Sequence, residues 1–217
     1  RILVDCGLFQ GSAQEEAANW NAFGYEAASI DYVVITHAHL DHCGRLAKLV
    51  KDGFKGTIFA TEPTRDLVGL QLIDAAQVMG EHAVQAGRPL LFDTSDIVQT
   101  LTKFQPLSYG KPKKITSELT ITLEDAGHIL GAATVTIAAR GKTIVFSGDL
   151  GNRGVPILNP PTRLRGADFL VLESTYGDRL HPANRNRRTD LKAALAACER
   201  ERGVLLIPAF ALERTQE

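Results

Sequence analysis

The chain has 217 residues, 44% hydrophobic and 23% charged, so it can bury a sizeable core and has the composition of a globular domain. Its formal net charge of −1 excludes a globally basic field as the basis of nucleic-acid binding, although a local basic groove is allowed. Three cysteines and the lack of a long apolar run argue against a disulfide framework and a membrane partner, so we expect a cytoplasmic protein.

The first predicted elements are a short strand and a helix. Residues 2–4 are apolar, which favours a strand, and Asp5 follows them directly. Taken alone, an aspartate at this position is typical of a turn or a helix cap. A helix is predicted over residues 12–22, because Ser12 is a typical N-cap and Glu15 would complete a capping box.

A second strand leads into an unusual polar segment. Residues 30–36 are rich in β-branched and apolar side chains, which favours a buried strand. The sequence His-Ala-His-Leu-Asp-His follows over residues 37–42, and a helix is predicted over 43–51. The polar segment therefore lies in a strand-to-helix turn.

The side chains of this turn suit a metal ion. In extended backbone His37 and His39 point to the same side, and neutral imidazole is a good ligand for zinc. Asp41 and His42 turn toward a second position, and Asp41 adds an anionic oxygen. The alternative is an ordinary polar turn, but three of the chain's six histidines fall within six residues.

Strands and helices alternate through the rest of the chain. The pattern predicts helices over residues 61–86, 94–104 and 189–202. It predicts strands over residues 57–60, 115–123 (or a hairpin there), 132–139, 142–146, 168–172 and 204–207. The strand at 168–172 is apolar enough to be buried. This order of elements indicates an α/β fold with mixed sheets covered by helices.

Two further candidate ligands follow predicted strands. His128 comes after Gly127, and Asp149 comes after Gly148. Each of them alone is typical of a loop or turn residue. A pair of close divalent ions, however, needs ligands from separate segments and a bridging group, which these residues together with segment 37–42 would supply.

These motifs resemble a known family. Segment 37–42 resembles the H-x-H-x-D-H signature of the metallo-β-lactamase superfamily, and Asp5 resembles the aspartate of its first motif. His128 and Asp149 resemble its third and fourth motifs. The resemblance implies an αββα sandwich, which periodicity alone does not predict.

The resemblance also implies roles for these side chains. The implied ligands are His37, His39 and His128 for one ion, Asp41 and His42 for the other, and Asp149 as the bridge. The implied catalytic residues are Asp5, Asp41, Asp149 and Glu173. Asp5 would orient ligands without binding metal. The implied cofactor is two Zn²⁺, with Mn²⁺ as an alternative, and a hydroxide activated by both ions would be the nucleophile.

Later segments resemble one branch of the superfamily, the β-CASP nucleases. Residues 172–177 (LESTYG) resemble the E-S-T-Y-G motif of that branch, and residues 204–217 resemble the segment just before its inserted domain. The similarity is greatest to bacterial relatives of the cleavage and polyadenylation endonuclease and lower to ribonuclease J. It implies that residues 1–217 are a metallo-β-lactamase core domain that lacks the inserted β-CASP domain and the C-terminal core segment. The resemblance also allows the native chain to begin upstream of residue 1.

The function that the resemblance implies is metal-dependent hydrolysis of RNA. The expected partner is single-stranded RNA, and the oligomeric state is open, with a homodimer as one alternative. Two alternatives stay open: a small-molecule hydrolase of a thioester, lactone or β-lactam, and a silent RNA-binding subunit. Whether such a nuclease prefers RNA or DNA, and cuts internally or from an end, also stays open. Candidate phosphate contacts are four arginines, which could equally form a solvated surface: Arg179, Arg185, Arg187 and Arg188.

Overall fold

A computed structural model describes residues 1–85, 87–164, 166–180 and 186–216. The chain divides into two compact units, Arg1–Glu173 and Ser174–Glu217. The first unit contains two β-sheets and several helices, and the second contains helix α6 (Arg187–Glu201). No helix in the described part of the chain is both long and apolar enough to span a bilayer.

The first sheet is parallel throughout. Its strands, in spatial order, are β1 (Ile2–Val4), β2 (Tyr32–Val34), β3 (Thr57–Ala60) and β4 (Phe104–Pro106). The helices between these strands are α1 (Ala13–Ala17), α2 (Leu40–Cys43), α3 (Leu46–Lys51), α4 (Glu62–Gln85) and α5 (Thr94–Leu101). This arrangement is the usual solution for parallel strands, because their crossover connections need room for a helix.

The second sheet is mixed. Its strands, in spatial order, are β5 (Lys113–Lys114), β6 (Leu119–Asp125), β7 (Ala133–Ala139), β8 (Lys142–Phe146) and β9 (Phe169–Val171). Strands β5 to β8 are antiparallel, and β9 runs parallel to β8. The tight turn between β7 and β8 has positive φ at Arg140 and Gly141, as two-residue hairpins prefer.

The core lies between the two sheets. Val34 and Phe59 from the first sheet pack with Ile121, Leu123 and Val135 from the second in one buried cluster. Burying one such side chain stabilises the fold by about 1.5–3 kcal/mol. The predicted α/β class is therefore confirmed, and the two stacked sheets are consistent with an αββα sandwich.

Several strands end at one edge of this sandwich. β1 and β2 are parallel and in register, so their carboxyl ends lie side by side. In the second sheet the end of β6 pairs with the start of β7, and the end of β8 lies nearby on β7. The backbone N–H of Ala133 donates to the carbonyl of Thr36 at 2.8 Å, which joins the two sheets at this edge. The loops that follow these strands therefore meet.

Three predicted helices differ in extent from the structure. The helix predicted over 94–104 ends at Leu101, and Phe104 lies in strand β4. The capping box of Ser12 and Glu15 is confirmed, but α1 ends at Ala17 and continues only as a 3₁₀ turn. The helix predicted over 43–51 begins earlier, at Leu40, and is divided into α2 and α3. The division has a physical cause, because the N–H of Arg45 donates to the carbonyl of Cys6 at 2.8 Å.

Two strand predictions need correction. Strand β9 exists, but its side chains are 51–59% exposed, so the prediction that it is buried is wrong. Among the described residues β9 pairs only with β8 and lies at the end of its sheet. The strand predicted over 204–207 is irregular, because the described part of the second unit offers it no strand to pair with.

Candidate metal centre

The imidazoles of three histidines converge where β2 and β6 end. His37 is completely buried, and its Nε2 lies 3.0 Å from Nδ1 of His39, the N-cap residue of α2. Nε2 of His128 lies 3.1 Å from the same Nδ1. Ring nitrogens that face one another this closely are arranged like ligands around a shared ion.

The carboxylate of Asp149 faces this group. Its Oδ2 lies 3.5 Å from Nε2 of His128 and 3.8 Å from Nε2 of His37. The ligand atoms of the three histidines and Asp149 all lie within 4.8 Å of one another. Donor atoms at about 2.0–2.1 Å from a tetrahedral ion lie roughly 3–4 Å apart, so these four residues fit a divalent metal.

The other oxygen of Asp149 faces a different set of donors. Its Oδ1 lies 3.3 Å from Nε2 of His42, and that nitrogen lies 3.5 Å from Oδ2 of Asp41. Both Asp41 and His42 belong to α2, and the side chain of Asp41 is half exposed. Asp149 thus presents one oxygen to each of two neighbouring groups.

Asp5 hydrogen-bonds to the ring nitrogen of His42 that does not face Asp149. Its backbone adopts φ 61°, a left-handed conformation that aspartate tolerates better than most residues. This bend turns the carboxylate toward the end of β2, where Oδ1 accepts from the N–H of Thr36 at 2.8 Å. Oδ2 accepts from Nδ1 of His42 at 2.7 Å. This bond places a proton of His42 on Nδ1 and directs Nε2 toward Asp149.

Thr36 orients the ring of His37 in the same way, by a hydrogen bond to its Nδ1. Its hydroxyl donates to Oδ2 of Asp5 at 2.8 Å, so its oxygen accepts from Nδ1 of His37 at 3.0 Å. The lone pair of His37 Nε2 then points at the shared centre. Sequence reasoning treated Thr36 only as the end of a strand; a polar residue directly before the histidine motif was the available signal.

Burial and the surrounding charges set the protonation states. Burial, followed by the neighbouring histidines, lowers the pKa of His37 well below its ordinary value. Burial also lowers the pKa of His128. For His42, burial acts to lower the pKa, but hydrogen bonds to Asp149 and Asp5 together outweigh it and raise the pKa to about 10. His37 and His128 are therefore neutral at pH 7, as metal ligands must be. His42 carries a proton on each ring nitrogen in the metal-free site and would release the proton of Nε2 when an ion binds.

Close backbone packing positions the loops. A Cβ built on Gly7 would lie 1.5 Å from the carbonyl oxygen of Asp41, so only glycine fits where the β1 loop crosses α2. Gly148 has φ 56°, and a Cβ there would lie 2.9 Å from Cβ of Thr36. Each glycine lets a ligand-bearing segment contact its neighbour directly.

Comparison with known proteins identifies the family. Residues 1–164 match the model of a metallo-β-lactamase superfamily domain. The chain belongs to the metallo-β-lactamase superfamily.

Relatives within the superfamily match the chain over its whole length. Ribonuclease TTHA0252 of Thermus thermophilus is 40% identical over 217 residues, and the chain covers 48% of that protein. Transcription termination factor FttA of Methanocaldococcus jannaschii is 30% identical, with 34% of it covered. Cleavage and polyadenylation specificity factor subunit 3 of Dictyostelium discoideum is 30% identical, with 28% covered. These relatives confirm the predicted resemblance to the β-CASP nucleases. The chain thus spans about half or less of the relatives it matches.

Glu173, the acidic residue of the β-CASP motif, lies beside the loop that carries Asp149. Its Oε1 accepts from the N–H of Leu150 at 2.8 Å, and its own N–H donates to Oγ of Ser147 at 3.0 Å. Its charge also acts on His128, where it favours the protonated form. Glu173 therefore braces the Asp149 loop and adds negative charge near the histidines.

The candidate arginines belong to the second unit. Nε of Arg179 contacts Oδ1 of its neighbour Asp178 at 2.9 Å, and Arg188 lies on α6. Arg185 and the side chain of Arg187 lie outside the described residues. Contact of these arginines with a substrate stays a prediction.

Proposed function

We propose that this chain is the metal-binding part of a nuclease that hydrolyses phosphodiester bonds in RNA. The observation that carries the proposal is the carboxylate of Asp149, whose two oxygens face two different donor groups. The relatives support the choice of substrate, since one is named a ribonuclease and another a cleavage and polyadenylation factor.

The proposed ligands follow the two groups around Asp149. His37, His39 and His128 would hold one Zn²⁺, and Asp41 and His42 would hold a second, with Mn²⁺ as the alternative metal. When bound, two such ions polarise a phosphate and supply hydroxide at neutral pH. The donor set supports this, because His37 and His128 are neutral at pH 7 and a hydrogen bond from His42 holds the pKa of Asp149 below its usual value.

The acidic residues would take different parts in the reaction. The side chain of Asp41 is more exposed than those of His42 and Asp149, so its Oδ2 can accept a proton from water entering the site. Asp5 holds the proton on Nδ1 of His42 and so keeps Nε2 directed at the centre. Glu173 fixes the Asp149 loop through the N–H of Leu150. Single-stranded RNA as substrate, a cytoplasmic location and a homodimeric state are part of this proposal.

Cleavage of an end-labelled single-stranded RNA tests the proposal. We expect cuts that require added zinc or manganese and that disappear in Asp149→Ala, with a loss of at least about 100-fold in rate. Asp66→Ala is the matched control, because Asp66 is exposed on α4 and pairs with Arg65. Cleavage that persists in Asp149→Ala would overturn the proposal. Turnover of a thioester or lactone without RNA cleavage would favour a small-molecule hydrolase.

A further inference from the structure

A cavity lies beside the metal centre. It has a volume of about 460 Å³ and is formed by the loop after β1 and the start of α3. Its chemically distinctive lining residues are Cys6, Phe9, Phe23, Tyr25 and Arg45. None of these side chains is among the proposed metal ligands.

Arg45 is a buried cation that forms no ion pair with another described residue. Only 6% of the residue is exposed, and its Nε has no hydrogen-bond acceptor within the described residues. The structure gives it no carboxylate partner in the same part of the chain. The Cys6 thiol does not supply the charge, because burial raises its pKa to about 12. An unpaired buried charge is costly, so the cavity suits an anionic ligand.

Aromatic rings form the other walls. The guanidinium of Arg45 lies 4.3 Å from the ring centre of Phe23 and 5.0 Å from that of Phe9. Phe23 in turn stacks on Tyr25 with ring centres 5.3 Å apart. Half of Phe9 remains exposed to solvent. Arginine stacked on aromatic rings favours a flat ligand that carries negative charge.

The cavity and the metal centre share a wall. The N–H of Cys6 donates to the carbonyl of His42 at 2.7 Å, and the carbonyl of Cys6 accepts from the N–H of Arg45 at 2.8 Å. One turn of chain thus carries a proposed metal ligand on one side and the cavity's cation on the other. A polymer held in this cavity would pass close to the metal centre.

We propose that this cavity binds one nucleotide of the substrate, with its phosphate on Arg45 and its base against Phe9. The inference rests on the proposed function for its choice of RNA. The volume suits one nucleotide, since small-ligand pockets usually measure about 300–1,000 Å³. Aromatic stacking of a base contributes about 1–3 kcal/mol and tolerates every base, so the subsite would not read sequence.

Titration of the chain with adenosine monophosphate tests the subsite directly. The titration is done by calorimetry in EDTA, so that the metal centre takes no part, and it is repeated after zinc is added. We expect Arg45→Met to raise the Kd of the nucleotide at least about tenfold in EDTA. Arg140→Met is the matched control, since Arg140 is exposed on the β7–β8 turn, and it should leave the Kd unchanged. Adenosine and inorganic phosphate should each bind more weakly than the nucleotide.

Two further measurements keep the test decisive. The Tm of Arg45→Met reports whether that variant folds, and Phe9→Ala, at an exposed ring, should weaken nucleotide binding in a chain that keeps its core. In the RNA cleavage assay Arg45→Met should raise KM with little change in kcat.

Three results would overturn the subsite: no nucleotide binding by the unmodified chain, equal binding by the Arg45→Met variant, or Arg45-dependent binding of a polyglutamate peptide instead of the nucleotide. If nucleotide binding depends on Arg45 but the chain does not cleave RNA, the proposed function is contradicted and the proposed nucleotide subsite is supported.

Discussion

At the scale of single residues, the metal centre depends on side chains that do not touch the proposed ion. Asp5 and Thr36 form a chain of hydrogen bonds that places a proton on Nδ1 of His37 and on Nδ1 of His42. Both Nε2 atoms are then free to face Asp149. Such supporting hydrogen bonds commonly change metal affinity by 10–100-fold.

Thr36→Val tests this support. Valine has nearly the shape of threonine but lacks the hydroxyl, so it removes the bond to His37 and leaves Asp5 with one donor fewer. We expect zinc affinity, measured by competition with a chromophoric chelator, to fall by about 10–100-fold. The free energy of unfolding should fall by only about 1 kcal/mol.

Thr100→Val is the control for that substitution. Thr100 is also fully buried, and its hydroxyl donates to the carbonyl of Asp96 within α5, away from the ligands. It should lose a similar amount of stability with no change in zinc affinity. Equal zinc affinity in Thr36→Val and the unmodified chain would contradict the role given to Thr36.

At the scale of elements, close backbone contacts position the ligand-bearing loops. Gly7 touches the carbonyl of Asp41 so closely that any side chain must push the β1 loop and α2 apart. We expect Gly7→Ala to cost about 1–3 kcal/mol of stability and to weaken zinc binding, because α2 carries Asp41 and His42. Gly24→Ala is the control, since a Cβ there meets nothing within 4 Å. Normal zinc binding in Gly7→Ala would show that the contact does not position α2.

The hydrogen bonds of Asp168, which lies just before β9, to Lys142 and Thr143 of β8 lead us to expect that stability depends on pH. Hydrogen bonds from Lys142 and then Thr143 hold the pKa of Asp168 below its usual value. A lowered carboxyl pKa stabilises the fold above the ordinary pKa, and this stability is lost as the pH falls through the folded-state value. We therefore expect Asp168→Asn to lower the Tm at neutral pH, with the difference shrinking below about pH 4.

A more exposed ion pair provides the comparison for Asp168. Glu118 pairs with Arg140 at 3.5 Å, and both side chains are largely exposed to water. Glu118→Gln should therefore leave the Tm almost unchanged. A Tm difference for Asp168→Asn that is constant from pH 7 to pH 3 would contradict the hydrogen-bond explanation.

The sequence predicted these elements well wherever a local signal was sufficient. Partial alternation marked β7, the turn at Arg140 and Gly141 marked β8, and the Ser12–Glu15 pair marked the start of α1. The break between α2 and α3 was missed, since it depends on a hydrogen bond from Arg45 to the distant Cys6. Local pattern cannot report a contact made across nearly forty residues of chain.

At the scale of the whole molecule, the sequence was sufficient to predict that the candidate ligands converge. It was not sufficient to predict the hydrogen bonds from Thr36 that orient them. His128 and Asp149 each follow a strand, so a shared sheet edge could be expected once the family resemblance was recognised. The exposure of β9 was not predictable, because apolar composition does not say whether a strand is covered. Likewise, that Arg45 is a buried cation with no acidic partner among the described residues can be seen only when the packing around it is known.

The most direct test of the central claim is the metal content of the chain measured beside its cleavage of RNA. We predict close to two zinc ions per chain by elemental analysis. Zinc and cleavage should be lost together in a variant that carries both His37→Ala and His39→Ala, while Asp66→Ala retains both. Full zinc retention in the double variant, or RNA cleavage by metal-free chain, would contradict the account.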